Sequence, residues 1–226
     1  MGLLPDGDTT SAEPSSQSDS VQQDTEDHTS EVSWTVQEAF RSRALWLLFV
    51  TELVYGAAQG SVIIHRTPFL IDLGFSSATA GVSLVIHSFA ALSGKLVWGY
   101  LADRVEIRLL LVLVLLGSAA SLSALFFVGS PMMLYLGFAL PYGLTAGSLT
   151  VLGPLIWARY FGRRHLGSIQ GLMGPIGLLP GLLGPMFAAF VYDATGSYEF
   201  AFACFAGLFA IGAIMMWWVR RPVASS

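Results

Sequence analysis

The sequence predicts an all-α membrane protein with six transmembrane helices, and three observations lead there. Hydrophobic residues make up 54% of the 226 and charged residues only 12%, about half of what a soluble domain carries; mean hydropathy is +0.65. Six apolar stretches recur, over 44–64, 80–101, 109–128, 131–157, 167–191 and 199–219, each at least as long as the ~20 residues a helix needs to cross hydrocarbon. Between them the positive charges fall on one side: Arg41, Arg43, Arg104, Arg108, Arg159, Arg163, Arg164, Arg220 and Arg221, with only Arg66 and Lys95 elsewhere. Such a bias places the basic loops inside the cell. The expected topology therefore has both termini cytoplasmic, in the plasma (inner) membrane.

Residues 1–34 are rich in Ser, Thr, Asp and Gln and cannot bury enough apolar surface to offset the entropy of ordering, so a disordered cytoplasmic segment is expected there. Residues 1–40 hold nine acids and no Lys or Arg; the formal net charge of −4 thus averages an acidic stretch with a remainder in which eleven bases face six acids. No basic start precedes a short apolar core, as a signal peptide requires. Thr35 and Glu38 have capping-box spacing, which predicts an amphipathic surface helix over 35–43 anchored by Trp34, Val36 and Phe40; a polar linker is the alternative. The domain proper covers 44–219, and 220–226 is a cytoplasmic tail.

The apolar stretches are not uniform. The fourth contains Pro141, Gly143, Gly147, Gly153 and Pro154, and the fifth Gly167, Gly171, Gly174, Pro175, Gly177, Pro180, Gly181, Gly184 and Pro185. Glycines three and four apart let helices approach closely, while prolines bend the axis. Gly174, Pro175, Pro180 and Gly181 are candidates for a flexing point, with plain tight packing as the other explanation. The lone Cys204 rules out an internal disulfide, and no ligand cluster calls for a metal or other cofactor.

Residues 94–104, GKLVWGYLADR, resemble the loop signature of the major facilitator superfamily of transporters, G-x-L-a-D-r-x-G-R-R. Gly99, Leu101, Ala102, Asp103, Arg104 and Arg108 match, while Val105, Glu106 and Ile107 replace the expected x-Gly-Arg. A copy good at its front and degraded at its back is usual for the second half of such proteins. WTVQEAFRSRALWLL is similar to the approach to the seventh helix in monocarboxylate- and oxalate/formate-type facilitators. YFGRR over 160–164 and the Tyr-Asp-x-Thr-Gly-Ser-Tyr-x-x-Ala-Phe run over 192–202 resemble the carboxyl half of the same branch. The resemblance implies two inverted three-helix repeats, half of the family's fold. The opening GLLPDGD resembles the end of the run that follows the sixth helix, which makes 1–34 look like the central loop of a longer protein. The partners it implies are a missing amino-terminal six-helix half, or a second copy of this chain.

Charges inside the apolar spans are expensive and mark candidate sites. Glu52 lies about 13 Å from Arg43, and Lys95 about 12 Å from Asp103, at 1.5 Å per residue; the two are level and could pair. Lys95 is either a counter-charge for a carboxylate substrate or a structural lysine paired with Glu52 or snorkelling past Trp98. Glu52, Gln59 and Arg66 form one stripe at intervals of seven. His87 is either a proton relay or a packing histidine. Arg66 is expected near the outer mouth, interfacial or recruiting anions, and Gln170 is a possible lining group. Gly99, Asp103, Arg104 and Arg108 read as a latch between helix ends.

The substrate class expected is a small organic anion, a monocarboxylate or dicarboxylate, moved by a secondary transporter, with protons or by exchange. A multidrug or sugar efflux facilitator and a non-transporting six-span scaffold are the competing readings. Nothing in the sequence supports an enzyme: it lacks H-E-x-x-H and GxxxxGK motifs and a carboxylate dyad within the spans. The basic residues sit singly or in pairs at helix ends, which argues against nucleic acid as a partner.

Overall fold

A computed structural model describes residues 34–221. The acidic segment over 1–34, Trp34 apart, and the tail over 220–226, Arg220 and Arg221 apart, lie outside the described residues. Seven helices follow one another: α1 (Val36–Arg41), α2 (Arg43–Asp72), α3 (Ser77–Ala102), α4 (Ile107–Ala124), α5 (Pro131–Phe161), α6 (Leu166–Thr195) and α7 (Glu199–Trp218). The last six are long and apolar enough to cross a membrane, α4 being prolonged by a 3-10 turn over Leu125–Phe127. The chain is an integral, multi-pass membrane protein, and no strand occurs among the described residues.

The short helix α1 forms for the reason its sequence gives. Thr35 Oγ1 accepts from the Glu38 N–H at 3.3 Å and the Thr35 N–H donates to Glu38 Oε2 at 2.9 Å, a complete capping box. The bond from the Thr35 N–H also holds the Glu38 carboxyl below its ordinary range. Trp34, expected as a surface anchor, is instead buried: its N–H donates to Phe161 O at 3.1 Å and its ring stands edge-on to Phe161 at 6.1 Å.

The first span is longer than the apolar run that announces it. α2 continues eight residues past the expected end at 64, because Arg66 is buried within the bundle and Pro68 removes only one ladder hydrogen bond. The fourth span carries the irregularity expected of its prolines and glycines. A π-helical stretch over Leu134–Ala139 precedes Pro141, which has no N–H for the ladder, and the helix is interrupted at Gly147 and Ser148 before resuming over Leu149–Phe161. The span ends at Gly162, whose φ of 76° suits glycine and little else. α6, for all its prolines, is one continuous helix, closed by Gly196 in the left-handed conformation with its N–H on Tyr192 O at 2.7 Å.

The helices pair in a pattern that two inverted three-helix repeats would produce. The strongest packings are α2 on α6, α3 on α5 and α4 on α7. Superposing α2, α3, α4 on α5, α6, α7 exchanges the first two pairs and returns the third to itself. The two exchanged crossings use the same device. A Cβ at Gly143 would sit 2.7 Å from the Ala90 Cβ and against the His87 backbone, and one at Gly147 would meet the Ala91 carbonyl. At Gly184 a Cβ would meet the Ala57 carbonyl and lie 2.6 Å from Ser61 Oγ.

One end of the bundle gathers the arginine-bearing loops. There the Trp34–Phe161 bond joins α1 to α5, Asp103 lies 3.6 Å from Arg159, and Arg108 Nη1 donates to Val219 O at 3.2 Å. At the opposite end aromatic rings do the joining: Tyr198 stacks on Tyr192 at 4.3 Å and lies 5.1 Å from His65, while Phe69 stands 4.4 Å from Phe202.

Candidate functional site

Glu52, Tyr55 and Gln59 stand three and four residues apart, on one face of α2, and that face is directed at α5. Trp157 Nε1 donates to Glu52 Oε1 at 2.6 Å, the Tyr55 hydroxyl donates to Ala146 O at 2.8 Å, and the Tyr142 hydroxyl donates to Gln59 Oε1 at 2.5 Å. From α3, Trp98 Nε1 donates to Leu144 O at 2.7 Å. The carbonyls of Leu144 and Ala146 stand just before the interruption of α5, where the helical ladder lapses. Side chains from two neighbouring helices thus satisfy backbone that hydrocarbon could not. Beside Glu52 lies a cavity of about 10 Å³, room for about one water, bordered by Thr51, Leu115, Gly153 and Met216.

The expected pairing of Glu52 with Lys95 does not form. Glu52 is engaged by Trp157, and Lys95 lies exposed with no ion-pair partner among the described residues. The two are level, but Lys95 points away from the bundle, beside Leu92 (61% exposed) and Leu96 (74% exposed). Gln170 is likewise exposed, on α6. α3 and α6 are the least covered helices. α6 buries only Ile169, Met173, Gly184, Ala188 and Val191, and α3 buries the small residues Ala80, Ser83, Ala90, Gly94 and Ala102 together with His87.

Arg66, which the depth count puts near the outer mouth, is 5% exposed and so packed within the bundle. It carries no hydrogen bond on Nη1 and has no Asp or Glu in ion-pair range among the described residues. His87, 8% exposed, stacks on Tyr142 at 5.6 Å and 29°, and Tyr142 in turn stacks on Phe138 at 5.2 Å. Arg66 is within electrostatic range of both His87 and Tyr142. The stripe of three therefore divides: Glu52 and Gln59 are engaged by α5, and Arg66 Nη1 is buried without a partner.

At the arginine end, the Asp103–Arg159 contact ties the end of α3 to the end of α5, with side chains 77% and 40% exposed. Arg104 lies over the Tyr100 ring at 3.7 Å, and Arg108 Nε lies 3.3 Å from Glu106. Gly99 only brushes Val151, at 3.7 Å from its would-be Cβ. In α6, Gly174 and Gly181 have open space where a side chain would go, and Pro175 is exposed. The close packing in that helix belongs to Gly184, although a Cβ at Gly60 would lie a tight 3.1 Å from the Gly181 carbonyl.

Sequence reasoning did not single out Ser83, Trp157 or Tyr142. Ser83 had a usable signal, one turn before His87 on the same face of α3. Trp157 and Tyr142 sit in a helix whose register shifts at the π-helical stretch and the break, so counting residues along it does not give their facing.

Comparison with known proteins places the chain. The sequence profile described as Major Facilitator Superfamily matches residues 44–226. Monocarboxylate transporter 11 of Mus musculus is 25% identical over 200 residues, 82% of this chain and 43% of that protein. Monocarboxylate transporter 13 of Rattus norvegicus is 29% identical over 149 residues, 66% of this chain and 35% of that protein. The nitrite extrusion protein of Bacillus subtilis is 26% identical over 196 residues, 83% and 47% respectively. The chain thus spans less than half the length of these relatives.

Proposed function

Because the chain belongs to the Major Facilitator Superfamily, we propose that it is the carboxyl-terminal half of a secondary transporter that moves a small organic anion by alternating access. The observation that carries this reading is Lys95. An ammonium placed in hydrocarbon costs about 2.5–3.5 kcal/mol even on lenient scales, yet Lys95 stands exposed within a span, between uncovered leucines and without a counter-charge. The α3 face that bears it is therefore one that water, substrate or a second half meets. The relatives named monocarboxylate transporters and nitrite extrusion protein have anions in their names, which agrees with a cationic group on the pathway.

The uncovered faces of α3 and α6 flank that pathway, and the second six-helix half covers them, either upstream in a longer chain or as a second copy of this one. The basic end faces the cytoplasm of a plasma (inner) membrane. In this reading Gln170 lines the same route. The Asp103–Arg159 contact and the neighbouring Gly99, Arg104 and Arg108 act as a latch that holds one conformation, and α6 flexes at Gly174, Pro175, Pro180 and Gly181 when the latch opens.

The intact mass of the natively expressed protein tests the half-molecule claim. About twice the 24.2 kDa of this chain supports a covalent second half; a mass near 24.2 kDa with a monomer in detergent would sink the claim. A panel of radiolabelled carboxylates, sugars and cationic drugs in proteoliposomes tests the substrate class, and uptake confined to sugars or drugs would overturn it.

A further inference from the structure

We propose that Arg66, Ser83 and His87 form a buried binding site for one compact anion, a carboxylate group or a halide, held between α2, α3 and α5 and separate from Lys95. Three polar side chains, each more than nine-tenths buried, present atoms with no hydrogen-bond partner: Arg66 Nη1, Ser83 Oγ and His87 Nδ1. The topology sets Arg66 and Ser83 at one depth on neighbouring helices. Arg66 lies six residues before the end of α2 and Ser83 six residues after the start of α3, so each is about 9 Å down its helix from the short link over 73–76 that joins them. His87 is one turn below Ser83 on the same buried face of α3, and Arg66 is within electrostatic range of it.

The chemistry of the three is that of an anion receptor. The guanidinium offers only donors, the hydroxyl can turn its hydrogen inward, and Nδ1 is a donor in one imidazole tautomer. Ser83 is the informative member. Ser61, Ser88 and Ser93, also on α2 and α3, all bond back to the carbonyl four residues earlier, at 2.8–3.0 Å. Ser83 makes no such bond, which leaves its hydrogen available.

Charge makes the same demand. Arg108 and Arg159 each have a carboxylate at 3.3 and 3.6 Å, while Arg66 is more deeply buried than either and has none among the described residues. An uncompensated cation taken out of water is costly, and a bound anion removes that cost. Lys95 is eight residues further along α3, about 12 Å down the axis, and exposed. The two cationic positions are thus separate in depth and in facing.

The test is equilibrium binding to the purified full chain in lipid nanodiscs, with no transport required, so its outcome is independent of the reading above. Sodium chloride and sodium acetate are titrated against thermal unfolding, and chloride is also followed by 35Cl NMR line broadening; a bulky sulfonate holds the ionic strength constant. Saturable stabilisation by chloride alone, acetate alone or both supports the site and identifies a halide, a carboxylate or either as its occupant. Arg66→Gln should weaken binding at least about tenfold, the loss of one charge-assisted hydrogen bond, and Ser83→Ala and His87→Gln several-fold each. Arg164→Gln, an equal change in net charge at the far end of the bundle, should bind as wild type. Should Arg66→Gln fail to fold, Arg66→Lys with Ser83→Ala carries the comparison. The proposal is overturned if neither anion acts saturably on the folded wild type, or if the site variants and Arg164→Gln bind alike.

Discussion

Two polar regions of this bundle, about two helical turns apart on α2 at their nearest members Gln59 and Arg66, have been left in opposite states. Around Glu52, Tyr55 and Gln59 each polar group meets a partner on α5. Arg66 Nη1 on α2, with Ser83 Oγ and His87 Nδ1 on α3, is buried with none. The difference teaches how to separate structure from function in a membrane interior. A satisfied polar group in hydrocarbon is explained by the helix it holds, whereas an unsatisfied one is explained by something that comes and goes.

The comparison breaks most visibly at its satisfied end. Trp157→Phe leaves the Glu52 carboxylate buried without its donor, and should lower unfolding free energy by about 3 kcal/mol, the upper range for a stranded charged acceptor. Glu52→Gln keeps an acceptor for Trp157 and should cost less than about 1 kcal/mol. Thermal unfolding in one detergent compares the two; equal losses would mean that the bond matters little to the helix pair.

The unsatisfied end should respond in the opposite direction. In buffer free of small anions, Arg66→Met should raise stability by about 1–2 kcal/mol, because an apolar side chain of similar size replaces a charge that nothing neutralises. The same scan in saturating anion should erase the gain. A destabilised Arg66→Met in both buffers would show that Arg66 is satisfied in a way its surroundings do not reveal.

Smaller effects sharpen the contrast. Tyr142→Phe removes one neutral hydrogen bond to Gln59 while keeping the ring stack with His87 and Phe138, and should cost about 1 kcal/mol. Asp103→Asn, at an exposed ion pair, should change stability by less than about 1 kcal/mol. If the Asp103–Arg159 contact is a latch, transport should nevertheless fall while substrate affinity stays, and equal loss of both would remove the latch from the account.

Much of the architecture was legible because membrane spans are written in long-range properties, length and apolarity, that single residues do not disturb. The six spans, the grouping of arginines at one end and the Thr35–Glu38 capping box could all be read along the chain. What could not be read was facing. Glu52 and Lys95 are level by residue count, but their positions around the helix axes differ, and nothing in a linear stripe tells which neighbour a face will meet. A count from Arg43 gives the depth of Arg66 but not its packing; the helix outlasts the apolar run by two turns, and that extension holds the arginine against its neighbours. Ser83 was hidden for another reason. A helical serine ordinarily turns back to its own backbone, and only the structure shows one that does not.

Uptake of a radiolabelled carboxylate into proteoliposomes by the natively expressed protein, wild type against Lys95→Gln, tests the central claim most directly. The account predicts saturable uptake that falls at least about tenfold in Lys95→Gln, since one charge-assisted contact is lost, with thermal stability unchanged because Lys95 is exposed and unpaired. Uptake by Lys95→Gln equal to wild type would contradict it.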